Sequence, residues 1–185
     1  VRGPAQEILK EVDAARIAVD DFLAYARPPE PARVPVDAEA VVRAAAATAP
    51  AGAVVDVSGE FGRVLGDGAL FRRVFGNLIQ NAADAAVEAG RSARVRIVGR
   101  RAAGGRTLQI EVDDDGPGIP PDRRAQVFAP FFTTRARGTG LGLALVQRTV
   151  ADMGGTIEVA ASERGGALFR IRLPLAPVDE STPRA

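Results

Sequence analysis

The sequence contains no cysteine, no histidine and no tryptophan, and only one methionine and one tyrosine, in 185 residues. The missing cysteines exclude a disulfide scaffold, a thiol nucleophile and a cysteine-based metal centre. The missing histidines exclude an imidazole base, a histidine-ligated metal and a phosphohistidine acceptor within this chain. No stretch approaches the ~18 consecutive apolar residues of a membrane span. Val1-Arg2-Gly3-Pro4 does not have the pattern of a signal peptide. An excess of charge of one sign is also lacking. The 24 basic residues face 23 acidic ones, for a net +1, which argues against a generic nucleic-acid surface. Lysine itself is nearly absent: Lys10 stands alone, and arginine supplies the rest of the positive charge. What is present is ordinary for a folded domain, with 46% hydrophobic and 25% charged residues. A domain of ~150 residues buries about 68–70% of its unfolded surface, so a core is within reach without staples.

Pro4 to Arg27 reads as one long helix. Ile8, Val12, Ala15, Val19, Phe22 and Ala26 recur at alternating steps of four and three, an a/d seam that asks for a partner helix. Arg27-Pro28-Pro29-Glu30-Pro31 stops it, because proline has no amide donor and crowds the preceding turn. At 1.5 Å per residue the helix would span about 36 Å.

Beyond the prolines the pattern alternates. A short strand is expected over Arg33 to Val36, then an alanine-rich helix capped by Asp37 and ending near Pro50. Strands follow over Ala53 to Val57 and Phe61 to Leu65. Asp67 opens a helix whose Leu70, Val74, Leu78 and Ala82 recur every four residues, ending before Gly90. Arg94 to Arg100 and Arg106 to Asp113 read as a hairpin around Gly104-Gly105. Gly116 to Gly140 is long and rich in Gly, Pro and Thr, with a brief helical signal at Asp122 to Phe128. A loop of that length in a compact domain is usually functional. A helix over Leu141 to Met153, closed by Gly154-Gly155, precedes strands at Thr156 to Ala160 and Ala167 to Leu173. The pattern predicts an α+β domain built as a two-layer α/β sandwich. The domain boundaries expected are 1–29 for the N-terminal helix, 30–174 for the sandwich and 175–185 for a disordered tail.

Three constellations carry chemistry. Asn77, Asn81 and Asp84 stand at i, i+4 and i+7 and so share one helix face. Amides disfavour a helix interior, and their oxygens are hard ligands suited to Mg²⁺ beside a nucleotide. A merely polar exposed face is the alternative. Asp113-Asp114-Asp115-Gly116-Pro117-Gly118-Ile119 places carboxylates beside a tight turn at a strand end. A buried, ionised aspartate there can accept from an adenine amino group, while Gly118 lets the base approach the backbone. A plain turn or a Ca²⁺ loop is the alternative, but the spacing fails the EF-hand pattern. Gly138-Thr139-Gly140-Leu141-Gly142-Leu143 runs straight into a helix and offers open amides to an anion, or simply a close-packing turn. It is neither a Walker A loop nor a Rossmann turn.

Taken in order, Asn81, then Asp114-x-Gly116-x-Gly118, then Phe128-x-Pro130-Phe131-Phe132, then Gly140-x-Gly142 resembles the N, G1, F and G2 boxes of the sensor histidine kinase catalytic domain. That domain belongs to the gyrase, Hsp90, histidine kinase and MutL ATPase superfamily. The resemblance runs from about Pro28 to Pro174. It implies a Bergerat-type fold, a mixed five-stranded sheet packed on three helices, holding ATP under a mobile lid. It implies that Asn81 ligates Mg²⁺ with Asn77 in support, and that Asp114 recognises the adenine amino group. Gly116, Gly118 and Ile119 would shape the adenine pocket. Gly138, Thr139, Gly140, Leu141, Gly142 and Leu143 would face the phosphates. Phe131 to Thr139 would form the lid, with Thr133, Thr134, Arg135 and Arg137 near the nucleotide and Asp84 beside them.

The N-terminal helix resembles the second helix of the dimerisation and histidine-phosphotransfer domain, whose first helix carries the phosphorylated histidine. The chain is therefore expected to be a fragment without its phosphoacceptor. The partners implied are the histidine-phosphotransfer domain of the parent kinase, itself a homodimer, and the receiver domain of a response regulator, with no nucleic acid. A cytoplasmic location follows from the same resemblance, with membrane anchoring of the parent left open. ATP-hydrolysing relatives and the anti-sigma-factor serine kinases typically carry a glutamate four residues before the magnesium asparagine. Here that position is Asn77, which cannot take a proton. The alternatives are such a serine kinase or a non-catalytic ATP-sensing module.

Overall fold

The computed structural model describes residues 32–177, apart from 103, 136 and 137, together with Val12, Ala15, Arg16, Val19, Phe22, Leu23, Tyr25 and Ala26. Those eight N-terminal residues are helical, as the seam predicts; the rest of the Pro4 to Arg27 segment lies outside the described residues. Val12, Val19 and Phe22 of the seam are all more than half exposed.

Among the described residues, seven strands and three α-helices follow in the order β1 (Val34–Asp37), α1 (Ala38–Ala46), β2 (Ala53–Gly59), β3 (Arg63–Gly66), α2 (Gly68–Glu88), β4 (Ala93–Arg101), β5 (Thr107–Asp114), α3 (Gly142–Asp152), β6 (Thr156–Ala161) and β7 (Ala167–Pro174). Asp37 accepts from Ala40 N at 3.1 Å, and Asp67 from Ala69 N and Leu70 N at 2.9 and 3.1 Å. Both aspartates therefore satisfy amides that the first helical turn leaves without partners.

Five strands form one mixed sheet in the order β2-β4-β5-β7-β6, with β2 and β4 parallel and the other pairs antiparallel. β1 and β3 form a separate antiparallel pair. Alternation sets the two faces of the large sheet. Val95 and Ile97, Leu108, Ile110 and Val112, and Phe169, Ile171 and Leu173 are buried against Phe71, Val74, Phe75, Leu78 and Ile79 of α2. Phe71 and Phe75 meet edge to face, 5.0 Å between centroids. Each such buried side chain contributes about 1.5–3 kcal/mol. The opposite face carries ion pairs, Glu111 and Glu158 with Arg170, and Arg172 with Glu158.

Three expectations shift. The second short strand starts at Arg63 rather than Phe61, because Phe61 turns its ring over Gly99, where a Cβ would stand 2.7 Å from it. The helical signal at Asp122 to Phe128 shrinks to one 3₁₀ turn, Pro121–Arg123, followed by turns. The domain also does not stop at Pro174. Leu175 N donates to Arg106 O at 2.8 Å and Ala176 N to Arg63 O at 2.7 Å, so the start of the expected disordered tail is bonded into the fold. Residues 178–185 lie outside the described residues.

Candidate functional site

α2 supplies one wall. Its apolar stripe faces the sheet, which turns Asn77, Asn81 and Asp84 towards the loop before α3. Asn77 Nδ2 donates to Gly142 O at 3.1 Å, joining α2 to the first turn of α3. Asp84 also accepts from Gln80 Nε2 at 2.7 Å. Asn81 and Asp84 share one partner, Arg135. Its guanidinium donates to Asn81 O at 2.6 Å, to Asp84 Oδ2 at 3.0 Å and, more weakly, to Asn81 Oδ1 at 3.4 Å. Glu88, one turn further along α2, lies 3.7 Å from the same guanidinium.

The end of β5 supplies the second wall. Leu108, Ile110 and Val112 point into the core, so the same alternation brings Asp114 to the helix side of the sheet. Its Oδ1 accepts from Gly116 N at 2.7 Å and from Ala167 N at 3.1 Å; its Oδ2 carries no bond among the described residues. Burial pushes the Asp114 carboxyl above its ordinary value of 3.8, with the Asp113 and Asp115 charges adding to the rise. The two backbone bonds pull the other way without cancelling it. Such a site presents one committed oxygen and one unclaimed acceptor. Gly118 faces the Gly165–Gly166 backbone, and Ile119 packs on the edge of the core.

The loop over Phe131 to Thr139, expected to act as a lid, supplies the third. Phe128 is buried and meets Phe169 edge to face at 6.4 Å, anchoring the lid's first end. Phe131 has φ +65°, is largely exposed, and lies 6.4 Å from the Tyr25 ring of the N-terminal helix. Arg148 of α3 donates to Tyr25 O at 3.1 Å, so the end of that helix meets both lid and α3. Phe131 N donates to Gly140 O at 2.9 Å, closing the lid at its neck. Gly140, at φ +66°, is required there: a Cβ would stand 2.4 Å from the Phe131 carbonyl carbon. Thr133 Oγ1 accepts from Arg135 N at 3.1 Å, and Thr139 Oγ1 from Leu141 N at 3.3 Å. Thr134 and Gly138 are exposed; Gly142 and Leu143 begin α3 behind a buried Leu141. Arg137 lies outside the described residues.

The expected residues thus fall on three segments: α2 and the loop before α3 are bonded directly, and the end of β5 approaches α2 where a Cβ on Gly116 would stand 3.7 Å from Ala85. The donor set suits a hard cation sparingly: among the described residues no group of three or more acidic side chains could hold a metal by itself. Asn81 offers one amide oxygen, which fits Mg²⁺ when phosphate oxygens and water complete the shell. Sequence reasoning missed the turn joining β6 to β7. Gly166 lies against Asp114, where a Cβ would stand 2.2 Å from its carboxylate, and Ala167 N bonds that carboxylate. The paired glycines after Ser162-Glu163-Arg164 were the available signal.

A family model described as histidine kinase-, DNA gyrase B-, and HSP90-like ATPase matches residues 66–177. The chain is 44% identical over 122 residues to the sensory histidine kinase/phosphatase NtrB of Rhodobacter capsulatus, covering 61% of this chain and 34% of that protein. The chain spans about a third or less of the length of the curated relatives it matches. Among solved structures, the ATP-binding domain of PrrB from Mycobacterium tuberculosis is 30% identical with a TM-score of 0.61, covering 78% of this chain and 98% of that one. Full-length ShkA in complex with AMPPNP is 29% identical with a TM-score of 0.75, over 93% of this chain and 38% of that one. With the family model spanning more than half the sequence and the PrrB domain covered almost end to end, the chain belongs to the histidine kinase-, DNA gyrase B- and HSP90-like ATPases, and within them to the histidine kinase ATP-binding domains.

Proposed function

We propose that this chain binds Mg-ATP and positions its γ-phosphoryl group for transfer to a histidine on the dimerisation and phosphotransfer domain of a homodimeric parent kinase. From there the phosphoryl group passes to the receiver domain of a response regulator. The observation that supports this reading is the juxtaposition of three segments: Asn77 on Gly142 and Asn81 and Asp84 on Arg135 join α2 to the loop before α3, and the turn after Asp114 lies against α2 where a Cβ on Gly116 would stand 3.7 Å from Ala85.

In this reading the adenine amino group donates to Asp114, whose Oδ2 is the unclaimed acceptor. Asn81 would hold Mg²⁺, which when bound offsets phosphate charge and orients the γ-phosphoryl group. Arg135 suits the phosphates because a guanidinium binds planar oxygen pairs in a fork. Thr133, Thr134, Arg137, Gly138 and Thr139 belong to the segment that covers the nucleotide, with Gly140, Leu141, Gly142 and Leu143 at its base. Asn77 sits where a base would activate water and takes no proton, which favours transfer over hydrolysis.

Two measurements test the reading. Calorimetry on the full chain should show ADP and ATP binding that strengthens with Mg²⁺ and weakens in Asn81→Ala chiefly in the metal-dependent part. With labelled ATP the chain should stay unlabelled and should label a supplied histidine-bearing dimerisation domain. Stable self-labelling on serine or threonine would favour the serine-kinase branch, and binding with no transfer to any supplied domain would favour an ATP-sensing module.

A further inference from the structure

Asp113 is a buried carboxylate that the proposed reaction does not use. It follows Val112 in β5 and so points to the sheet face opposite Asp114. There it is fully partnered. Arg96, its register neighbour on β4, reaches Oδ2 at 2.8 Å, and the buried Ser162 donates its hydroxyl to Oδ1. The same hydroxyl accepts from Arg164 N at 2.9 Å, and Arg164 Nη1 donates to Asp113 O at 3.3 Å. Ser162 N and Gly166 O close the turn at 2.9 Å.

That turn is the one whose far end touches Asp114. Gly166 packs against the carboxylate, Ala167 N bonds its Oδ1, and the Gly165–Gly166 carbonyls face Gly118. Two adjacent aspartates on opposite faces of one strand therefore grip one turn, Asp113 at its beginning and Asp114 at its end. We propose that Asp113 and Ser162 form a positioning pair, which fixes the β6–β7 turn and through it the acceptor geometry that Asp114 offers to adenine. The proposal rests on the reading of Asp114 as the adenine acceptor.

The pair is not required to bury apolar surface, and a buried carboxylate is a costly way to close a hairpin. Its directionality suits a different demand. A hydrogen bond to an exocyclic amino group weakens steeply with angle, so the acceptor must be held in orientation as well as in place. Ser162 acts on Asp114 through the turn and does not touch the base.

The experiment compares ADP with IDP, which carries a carbonyl in place of the adenine amino group, on the full chain by calorimetry. Circular dichroism first establishes that each variant is folded at the working temperature. The unaltered chain should prefer ADP, and Asp114→Asn should abolish the preference. Ser162→Ala, which deletes one oxygen and keeps every backbone bond of the turn, should lower the ADP/IDP ratio about fivefold, the scale of one misplaced hydrogen bond. Asp113→Asn, similar in volume, should do the same, and Ser162→Thr should restore the ratio. If Ser162→Ala and Asp113→Asn lower the melting temperature or weaken both nucleotides equally while the ratio holds, the pair is only structural and the inference fails alone. If Asp114→Asn itself leaves the ratio unchanged, the adenine reading fails and takes the inference with it.

Discussion

The two ends of the candidate site are built from different materials. The Asp114 end, proposed to take adenine, is made of strand termini and main chain: Asp114 closes β5, and its partners are the Gly116 and Ala167 amides. The Arg135 end, proposed to take the phosphates, is made of long side chains on a helix and a loop, with Arg135 spread over Asn81, Asp84 and Glu88. Backbone partners in a sheet cannot be exchanged without breaking the sheet, whereas a guanidinium can leave one set of oxygens for another. In the proposed reading, fixed geometry thus stands where a base would be recognised, and exchangeable charge where phosphates would come and go.

The largest effect should come from attacking the fixed end. Asp114→Ala leaves two buried amides without their acceptor and should cost about 2–4 kcal/mol of stability, read by denaturant titration, besides removing adenine recognition. A loss of binding with full stability, the outcome expected of a residue outside the core, would contradict the burial seen here. Asp114→Asn keeps an oxygen for those amides and should separate binding from folding. The pH dependence separates them too. Because the Asp114 carboxyl titrates above its ordinary value, its contribution to stability is highest below the unfolded value and declines as pH rises through the folded one. Adenine binding runs the other way and should fall as pH drops through the same raised range, measured as ADP affinity against pH.

Next in size is the neck of the lid. Gly140→Ala forces a Cβ into the Phe131 main chain at a positive φ, for a penalty of at least about 1–2 kcal/mol. Faster tryptic cutting at the lid arginines would report it. The exchangeable end should respond more gently. A double-mutant cycle of Arg135→Gln with Asp84→Asn should give a coupling of about 1 kcal/mol in the absence of nucleotide, reduced at high salt, since Asp84 and Glu88 are solvent-accessible. Coupling that ignores salt would mean that this end is as fixed as the other.

The smallest effect belongs to the outer sheet face. The Arg170 hydrogen bond and charge, aided by Arg172, hold the Glu158 carboxyl below its ordinary range. Its contribution is therefore present above the unfolded value and lost as pH falls through the lowered one. Glu158 is exposed, so Glu158→Gln should shift stability by under about 0.5 kcal/mol in thermal denaturation.

Much of this was legible because local rules governed it. Asp37 and Asp67 announced their helices, Gly104-Gly105 its hairpin, and the Asn77, Asn81 and Asp84 spacing its shared face. What was not legible depended on which strand lay beside which. Nothing local says that β7 follows β5 in the sheet, and so nothing says that Ala167 and Ser162 would reach the two aspartates. The resemblance set Asp84 beside the loop residues, but its bond to Arg135 in particular was hidden for a similar reason, since Arg135 lies in a loop without periodicity. The Phe61 to Leu65 strand shifted because an aromatic ring found a glycine across the sheet, a tertiary packing event that outweighs β propensity.

The hydrogen bond between Phe131 N and Gly140 O has an evolutionary corollary. A loop whose two ends are already tied together can grow or shrink without shifting its foundations. Lengthening such a loop is inexpensive, about 0.6 kcal/mol for each doubling, because closure entropy rises only with the logarithm of length. Residues 132–139 are therefore a stretch of this domain in which insertions should be absorbed readily. Both segments that flank it stay in register while the loop between them is resized.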